Sequence, residues 1–221
     1  AMVTDIDTDR YETYDDVESY MRGSAAAVGN MMSAVMGVDT PEVRPHAMAL
    51  GEAFQLTNFV RDVQEDIRDL DRVYLPLETL HQHDVTVDDL REERCTADVR
   101  EAIGTELRRA EDRYRVGVRG IQKLPEDCQF GVLLAAVLYA EHHRLIRRRQ
   151  FDVVTARPTL SRSRKLWTVA RTWWHWRRSG DPVTVFRRVS AIPTDEPTSE
   201  EGVGKGLARR IPSPTAWILR R

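Results

Sequence analysis

The 221-residue sequence has little cysteine, no long apolar run and almost no net charge. Its two cysteines, Cys95 and Cys128, lack the spacing of a metal site, and we expect free thiols in a cytoplasmic protein without a signal peptide. The longest apolar run, residues 130–140, has about half the length needed to span a bilayer, so we predict no transmembrane helix. The net charge of −2 gives no reason to expect a nucleic-acid partner.

Helical periodicity dominates the part of the sequence before Gly180, which predicts an all-α bundle. Predicted helices span residues 14–36, 40–70, 97–123, 126–149 and 161–178, with a short helical piece after Thr86. We expect Thr13 and Thr40 to be N-caps, with Pro41 at the first helical position. Because Pro, Ser, Thr, Glu and Gly predominate later, we predict a helical domain over residues 1–178 and a poorly ordered tail over residues 179–221.

Four polar residues in the second helix, Gln55, Asn58, Asp62 and Asp66, fall on one stripe about 80° wide. Apolar side chains occupy much of the remaining circumference, whereas a surface helix normally has a broad polar face. Two carboxylates one turn apart repel each other, and burial increases the cost. A divalent cation such as Mg²⁺ would relieve it, while a solvated acidic face is the alternative.

Three other segments allow two interpretations each. Small residues at positions 23–29 fit either close helix packing or space for a long apolar ligand. Arg72 and Tyr74 could turn back to hold a phosphate or make only local contacts at the surface. Tyr139, at the end of an apolar run and followed by His and Arg, fits a diphosphate site or an ordinary core tyrosine.

The last predicted helix mixes tryptophan with basic residues. Residues 161–178 contain six Lys or Arg, no acid and four of the five tryptophans. This combination suits the surface of an anionic membrane, so we predict peripheral membrane contact. Nucleic acid could use the same residues, but no nucleic-acid-binding motif surrounds them.

The sequence resembles the phytoene/squalene synthase family, and most closely its phytoene synthases. The motifs that carry the resemblance are Tyr20-Met-Arg-Gly-Ser-Ala-Ala-Ala-Val-Gly29, Gln55-x-x-Asn58-x-x-Arg61-Asp62-x-x-x-Asp66, Arg72-Val-Tyr-Leu-Pro76, and the downstream residues Leu124-Pro125, Tyr139, Phe151-Asp152-Val153 and Arg157. The resemblance implies an isoprenoid-synthase-type helical bundle. It also implies Mg²⁺-dependent, or Mn²⁺-dependent, head-to-head condensation of two geranylgeranyl diphosphates to phytoene, through a cyclopropylcarbinyl diphosphate and without NADPH.

The resemblance also implies roles for individual residues. Asp62 and Asp66 would bind the metal and, with Gln55 and Asn58, form the catalytic group. The residues implied to bind the prenyl diphosphate substrate are Tyr20, Arg61, Arg72, Tyr74, Tyr139 and Arg157.

One departure from the family pattern concerns its first aspartate-rich motif, which has no counterpart before Tyr11. Asp5 and Asp9 have the spacing but not the surrounding motif. We therefore expect an incomplete bundle, the C-terminal two-thirds of a phytoene synthase, with little or no activity alone. A squalene or dehydrosqualene synthase, and a non-catalytic scaffold derived from the family, are the alternatives.

Overall fold

The computed structural model describes residues 8–193, which fold as a bundle of helices. In chain order the helices are α1 (Tyr14–Gly23), α2 (Ala25–Val35), α3 (Arg44–Arg61), α4 (Val63–Leu70), α5 (Leu77–Gln82), α6 (Val87–Arg91), α7 (Ala97–Val118), α8 (Glu126–Arg148), α9 (Arg162–Ser179) and α10 (Pro182–Val189). A short 3₁₀ turn, Ile121–Lys123, joins α7 to α8. The described range contains no strand beyond one isolated bridge between Arg10 and Val73, which confirms the all-α prediction.

Helix α3 is the centre of the bundle. It packs most extensively on α7 and α2 and also contacts α8. Its close approach to α2 depends on glycine, because a Cβ atom on Gly51 would lie 2.3 Å from the carbonyl oxygen of Ala25. Within residues 8–193, every helix is too short or too polar to cross a bilayer.

The predicted first helix, residues 14–36, is wrong as a single element because it is interrupted at Ser24. The capping box between Thr13 and Asp16 forms as expected. At Ser24 the backbone leaves helical geometry, and its hydroxyl donates to the carbonyl of Tyr20 at 3.0 Å. Gly and Ser in succession are a common site of helix breaks, because neither favours the helix interior.

The predicted second helix, residues 40–70, begins later than expected and bends at Asp62. Pro41 lies in a turn, and the helix starts at Arg44 with Pro45 in its first turn. Since Pro45 has no N–H, it cannot donate to the carbonyl of residue 41, and the helix cannot extend further back. At Asp62 the backbone angles are −103° and 9°, so α3 and α4 are separate helices that meet at the first carboxylate of the predicted stripe.

The predicted start of the poorly ordered tail, at residue 179, is too early, because a further helix follows Gly180. Asp181 caps α10 by accepting a hydrogen bond from the backbone N–H of Thr184 at 2.7 Å, and Pro182 occupies the first turn. Val185 and Phe186 are buried in the main core. A short helix with a cap and a narrow apolar face is stable here because it packs on its neighbours. Residues 194–221, the rest of the predicted tail, lie outside the described range.

A buried polar network fixes α3 against α7 and α8. The hydroxyl of Thr57 donates to the carbonyl of Ala53 at 2.7 Å and lies 3.1 Å from the Tyr114 hydroxyl and 3.0 Å from Nε2 of His143. Nδ1 of His143 lies 3.1 Å from the carboxylate of Glu111. Burial lowers the pKa of His143, although Glu111 opposes the change. These contacts set the register in which α3 presents its polar residues beside α8.

Candidate active site

The four polar residues of the predicted stripe lie around the junction of α3 and α4, and all four are half-buried. Gln55 and Asn58 line a cavity, and Asp62 and Asp66 follow one and two turns beyond Asn58. The buried Oδ1 atom of Asn58 accepts no hydrogen bond from the described residues. An unsatisfied buried acceptor is costly and is expected where a ligand supplies the missing partner.

Two arginines hold the carboxylate of Asp62. Arg61 contacts it with Nε and Nη2 at 2.7 and 2.5 Å, and Nε of Arg157 lies 2.7 Å from its Oδ1. Arg157 also reaches Glu65, with Nη1 2.7 Å from Oε2. Arg157 belongs to the loop between α8 and α9, so this ion pair joins that loop to the start of α4.

The arginines near Asp66 do not balance the negative charge of the carboxylates around it. Its pKa is raised to about 7, first by burial and then by the neighbouring carboxylates of Asp62 and Glu65, while Arg157 and Arg61 oppose the shift only in part. Three acids, Asp62, Glu65 and Asp66, therefore lie within about one and a half turns of helix, and two arginines, Arg61 and Arg157 from the α8–α9 loop, face them. Such a site favours an additional cation, because one would stabilise the ionised form of Asp66.

These oxygen atoms fit a hard divalent cation. Mg²⁺ in proteins is commonly held by one or two carboxylates and completed by phosphate oxygens and water. Asp62 and Asp66 supply the carboxylates, and Asn58 supplies an unsatisfied amide oxygen nearby. Within residues 8–193, however, no three acidic, histidine or cysteine side chains are arranged as a complete metal site, so the protein atoms described supply only part of a coordination shell.

The cavity has a volume of about 430 Å³ and is predominantly apolar. Small residues from α2, α3, α7 and α8 make up much of its wall: Ala25, Gly29, Ala47, Gly51, Gly117, Gly131 and Ala135. A Cβ atom on Gly29 would lie 2.2 Å from the carbonyl oxygen of Ala47. The close-packing interpretation of the small-residue segment is therefore confirmed, because Gly29 permits close packing of α2 on α3. Gly29 also lines the cavity, and its role in making space for an apolar ligand stays a prediction.

Tyr139 of α8 lies on the cavity wall, in contact with α3. Its ring stacks on Phe54 with centroids 4.5 Å apart, and both residues line the cavity. His142, one turn further along α8, has a pKa lowered to about 4 by burial and then by the charge of Arg61. It is therefore neutral at pH 7.

The remaining predicted substrate-binding residues lie in an aromatic cluster and not on the cavity wall. Tyr74 stacks on Phe59 with centroids 4.3 Å apart, and Tyr20 lies 5.9 Å from Tyr74. Arg72 donates to the Tyr74 hydroxyl at 3.2 Å and lies 3.9 Å from Asp9. These contacts reach distant parts of the chain and are half-buried, so the alternative of purely local surface contacts does not describe them. The proposed role of Arg72 and Tyr74 in phosphate binding stays a prediction.

Sequence reasoning missed one residue of the site, Glu65, and took His142 for one of the basic residues beside Tyr139, although burial lowers its pKa to about 4. Glu65 was visible as a third acid between Asp62 and Asp66, but helical spacing alone placed it off the stripe. It belongs to the site because Arg157 bridges it to Asp62. Nothing in the sequence brings the loop that carries Arg157 to α4.

Comparison with known proteins gives one consistent family. Residues 1–164 match the family model described as squalene/phytoene synthase. The chain is 34% identical over 163 residues to phytoene synthase of Rhodobacter capsulatus, covering 73% of this chain and 48% of the relative. It is also 34% identical over 174 residues to 15-cis-phytoene synthase of Synechococcus elongatus, covering 73% and 56%. The chain thus spans about half the length of the curated relatives it matches.

Solved structures give the same fold. Squalene synthase HpnC from Alicyclobacillus acidocaldarius superposes with a TM-score of 0.65 at 29% identity, covering 67% of this chain and 56% of that chain. A dehydrosqualene synthase in complex with ligand superposes with a TM-score of 0.68 at 25% identity, covering 79% and 61%.

Proposed function

The chain belongs to the squalene/phytoene synthase family of prenyltransferases, and we propose that it carries the diphosphate-binding half of a phytoene synthase site. The reaction is the Mg²⁺-dependent joining of two geranylgeranyl diphosphates, head to head, to phytoene by way of a cyclopropylcarbinyl diphosphate, in carotenoid biosynthesis. The observation that carries the proposal is the position of Asp62 and Asp66, with Arg61 and Arg157, beside an apolar cavity that Asn58 lines.

The proposed chemistry needs a stabilised leaving group in a dry site. Bound Mg²⁺ would supply a Lewis acid for the diphosphate, with Asp62 and Asp66 as its protein ligands. Arg157 reaches across from its loop to Asp62 and Glu65, so it lies within reach of an anion bound there. Together with Arg61 it would neutralise the charge that develops as the allylic C–O bond breaks.

The apolar wall would bind the prenyl tail and exclude water from the allylic cation. Phe54 and Tyr139 stack beside the polar end of the cavity, and small residues leave space between the helices.

The choice of substrate length rests on the sequence relatives. Those named above are phytoene synthases, which favours twenty-carbon substrates. The structural neighbours are named as squalene and dehydrosqualene synthases, which makes fifteen-carbon substrates the second candidate. Product analysis with farnesyl and geranylgeranyl diphosphates, using a protein that spans the whole family domain, distinguishes the two.

We propose that this chain alone has little or no activity. Within residues 8–193, no acidic residue is among those that line the cavity, and Asp62 and Asp66 follow its lining residue Asn58 along α3 and α4. Ionisation of an allylic diphosphate would therefore lack part of the metal coordination that the reaction needs.

Binding in solution tests the proposal with the protein as it exists. We expect geranylgeranyl thiodiphosphate, an unreactive analogue, to bind this chain more tightly with Mg²⁺ than without it, as measured by calorimetry. Asp62→Asn should remove the Mg²⁺-dependent part. Asp69→Asn is the matched control, because Asp69 is an exposed acid of α4, the helix that Asp62 caps, and among the described residues its ion-pair partner is its neighbour Arg68.

A non-catalytic scaffold predicts a different result. In that case Mg²⁺ would not change binding of the analogue, and Asp62→Asn would behave like Asp69→Asn. Either result contradicts the proposal.

We also propose that the protein works in the cytoplasm at the surface of a membrane. Both the proposed substrate and the proposed product carry long apolar chains, which dissolve in lipid and not in water.

A further inference from the structure

Helix α9 has one face packed on the bundle and one face open to solvent. The buried residues Thr168 and Thr172 mark the packed face, and Trp176 lies 6.0 Å from Phe130 of α8, measured between ring centroids. Helix α9 also contacts α10. The helix is therefore a fixed part of the fold, and its outer face is presented on a rigid support.

The outer face of α9 carries four large apolar side chains. Leu166 is 71% exposed, Trp167 49%, Trp173 51% and Trp174 46%. Positions 166 and 173, and positions 167 and 174, are each seven residues apart, which places all four on adjoining rows of one face. A cluster of exposed tryptophans on one face is unusual for a surface that contacts only water.

The same helix is strongly basic. It has no acid between Arg162 and Ser179. Arg164 is paired with Glu141 at 2.7 Å, whereas in the part of the chain that the structure describes Arg162, Lys165, Arg177 and Arg178 form no ion pair. A surface with several cations and no carboxylate partner is complementary to an anionic one.

Arginine side chains of α9 lie over the tryptophan rings of the same helix. The guanidinium carbon of Arg178 lies 3.6 Å from the ring centroid of Trp174, and that of Arg177 lies 5.3 Å from that of Trp173. Trp167 has Arg171 at 5.1 Å. Amphipathic aromatic rings beside cations are characteristic of the headgroup region of a bilayer, where the ring meets lipid and the cation meets phosphate.

We infer that this outer face of α9, the α9 face, docks on a membrane containing anionic phospholipids. This inference rests on the exposed side chains of α9 and not on the proposed catalysis. It names the surface through which the proposed membrane location would be achieved. Leu166 favours lipid over nucleic acid as the occupant, because an aliphatic side chain beside the tryptophans gains from acyl chains and has no role in stacking bases.

A second exposed apolar patch provides a control. Helix α2 exposes Met31 (57%) and Val35 (74%), and its segment Ala25–Val35 contains no charged residue. It matches the α9 face in exposed apolar side chains but lacks the cations. Anionic lipid should therefore distinguish the two surfaces.

Vesicle flotation with the whole chain tests the inference. We expect binding to vesicles that contain phosphatidylglycerol, weak binding to phosphatidylcholine alone, and loss of binding at high salt, because screening weakens attraction between exposed charges. The double variant Trp173→Ser/Trp174→Ser should bind at least about tenfold more weakly. The variant Arg177→Gln/Arg178→Gln should lose about fivefold per arginine on anionic vesicles.

The control variant Met31→Ser/Val35→Ser should bind vesicles like the unmodified chain. Circular dichroism and calorimetric binding of geranylgeranyl thiodiphosphate, both without lipid, show whether each variant is folded and whether the diphosphate site is intact. Failure of the catalytic proposal thus appears in solution, and failure of the docking inference appears only with vesicles.

Several results would overturn the inference. They are equal binding to neutral and anionic vesicles, no loss in either α9 variant that remains folded, an equal loss in the α2 variant, or tight binding of single-stranded RNA in place of vesicles.

Discussion

Gly51 provides a quantitative test of how closely α2 and α3 pack around the cavity. A Cβ atom there would lie 2.3 Å from the carbonyl oxygen of Ala25, whereas ordinary contacts begin at 3.4 Å. Both partners belong to helix backbones, so Gly51→Ala requires α2 and α3 to separate by about 1 Å, and no side-chain rotation can relieve the contact. We expect the variant to fold with lower stability.

The net cost can be estimated from two opposing terms. Overpacking typically costs about 1–3 kcal/mol, and the rigid contact places Gly51→Ala near the upper end. Alanine regains about 1 kcal/mol over glycine in a helix interior. The expected net loss is about 2 kcal/mol, which corresponds to a fall in Tm of about 4–8 °C for a domain of this size.

Gly131→Ala is the matched control. Gly131 also lies within a helix and lines the cavity. Unlike Gly51, it has open space around it, because an added Cβ atom would meet no neighbouring atom within 4 Å. It should keep or raise the Tm by about 2–4 °C. Thermal unfolding followed by circular dichroism measures both. If Gly51→Ala were as stable as Gly131→Ala, the close approach of α2 and α3 would be incorrect.

Three further predictions concern single side chains. The pKa of Asp66 is raised to about 7, and a metal binds the ionised carboxylate. Mn²⁺ affinity, measured by electron paramagnetic resonance, should therefore rise about tenfold per pH unit up to pH 7 and level off above it. A flat pH profile, or the same profile in Asp66→Asn, would contradict this. Tyr139→Phe keeps the ring stacked on Phe54, so the free energy of unfolding should change by less than about 0.5 kcal/mol, while affinity for geranylgeranyl thiodiphosphate falls in calorimetry; unchanged affinity would remove the hydroxyl from the site. Glu141 is 1% exposed and paired with Arg164 at 2.7 Å. Glu141→Gln should therefore lower the free energy of unfolding, measured in urea, by about 2–3 kcal/mol. A loss below about 0.5 kcal/mol would show that the pair contributes little.

Local sequence signals predicted the long helices well. The capping box at Thr13 and the apolar periodicity of α7 and α8 depend on neighbouring residues alone, and both appear as expected. The errors arose where two local signals compete. Ser24 follows a glycine inside an otherwise helical pattern, and Pro45 sets the start of α3 although Thr40 and Pro41 also resemble a helix start.

Other features depend on contacts between distant parts of the chain, which spacing on one helix cannot show. The ion pair of Arg157 with Asp62 and Glu65 joins residues about ninety positions apart, as the sequence numbering shows. Helix α10 was missed because the proline-rich and serine-rich composition after Gly180 outweighed its cap at Asp181 and its short apolar face. The half-buried environment of Asp62 and Asp66 was predicted because the stripe and its apolar flanks lie on adjoining turns of one chain segment.

A crystal structure of this chain with Mn²⁺ and geranylgeranyl thiodiphosphate would test the central claim most directly, since Mn²⁺ can be located by its anomalous scattering. We predict an anomalous peak between the carboxylates of Asp62 and Asp66, the diphosphate in contact with Arg157, and the prenyl tail in the cavity lined by Gly51 and Tyr139. A metal bound elsewhere, or a tail outside this cavity, would contradict the proposed site.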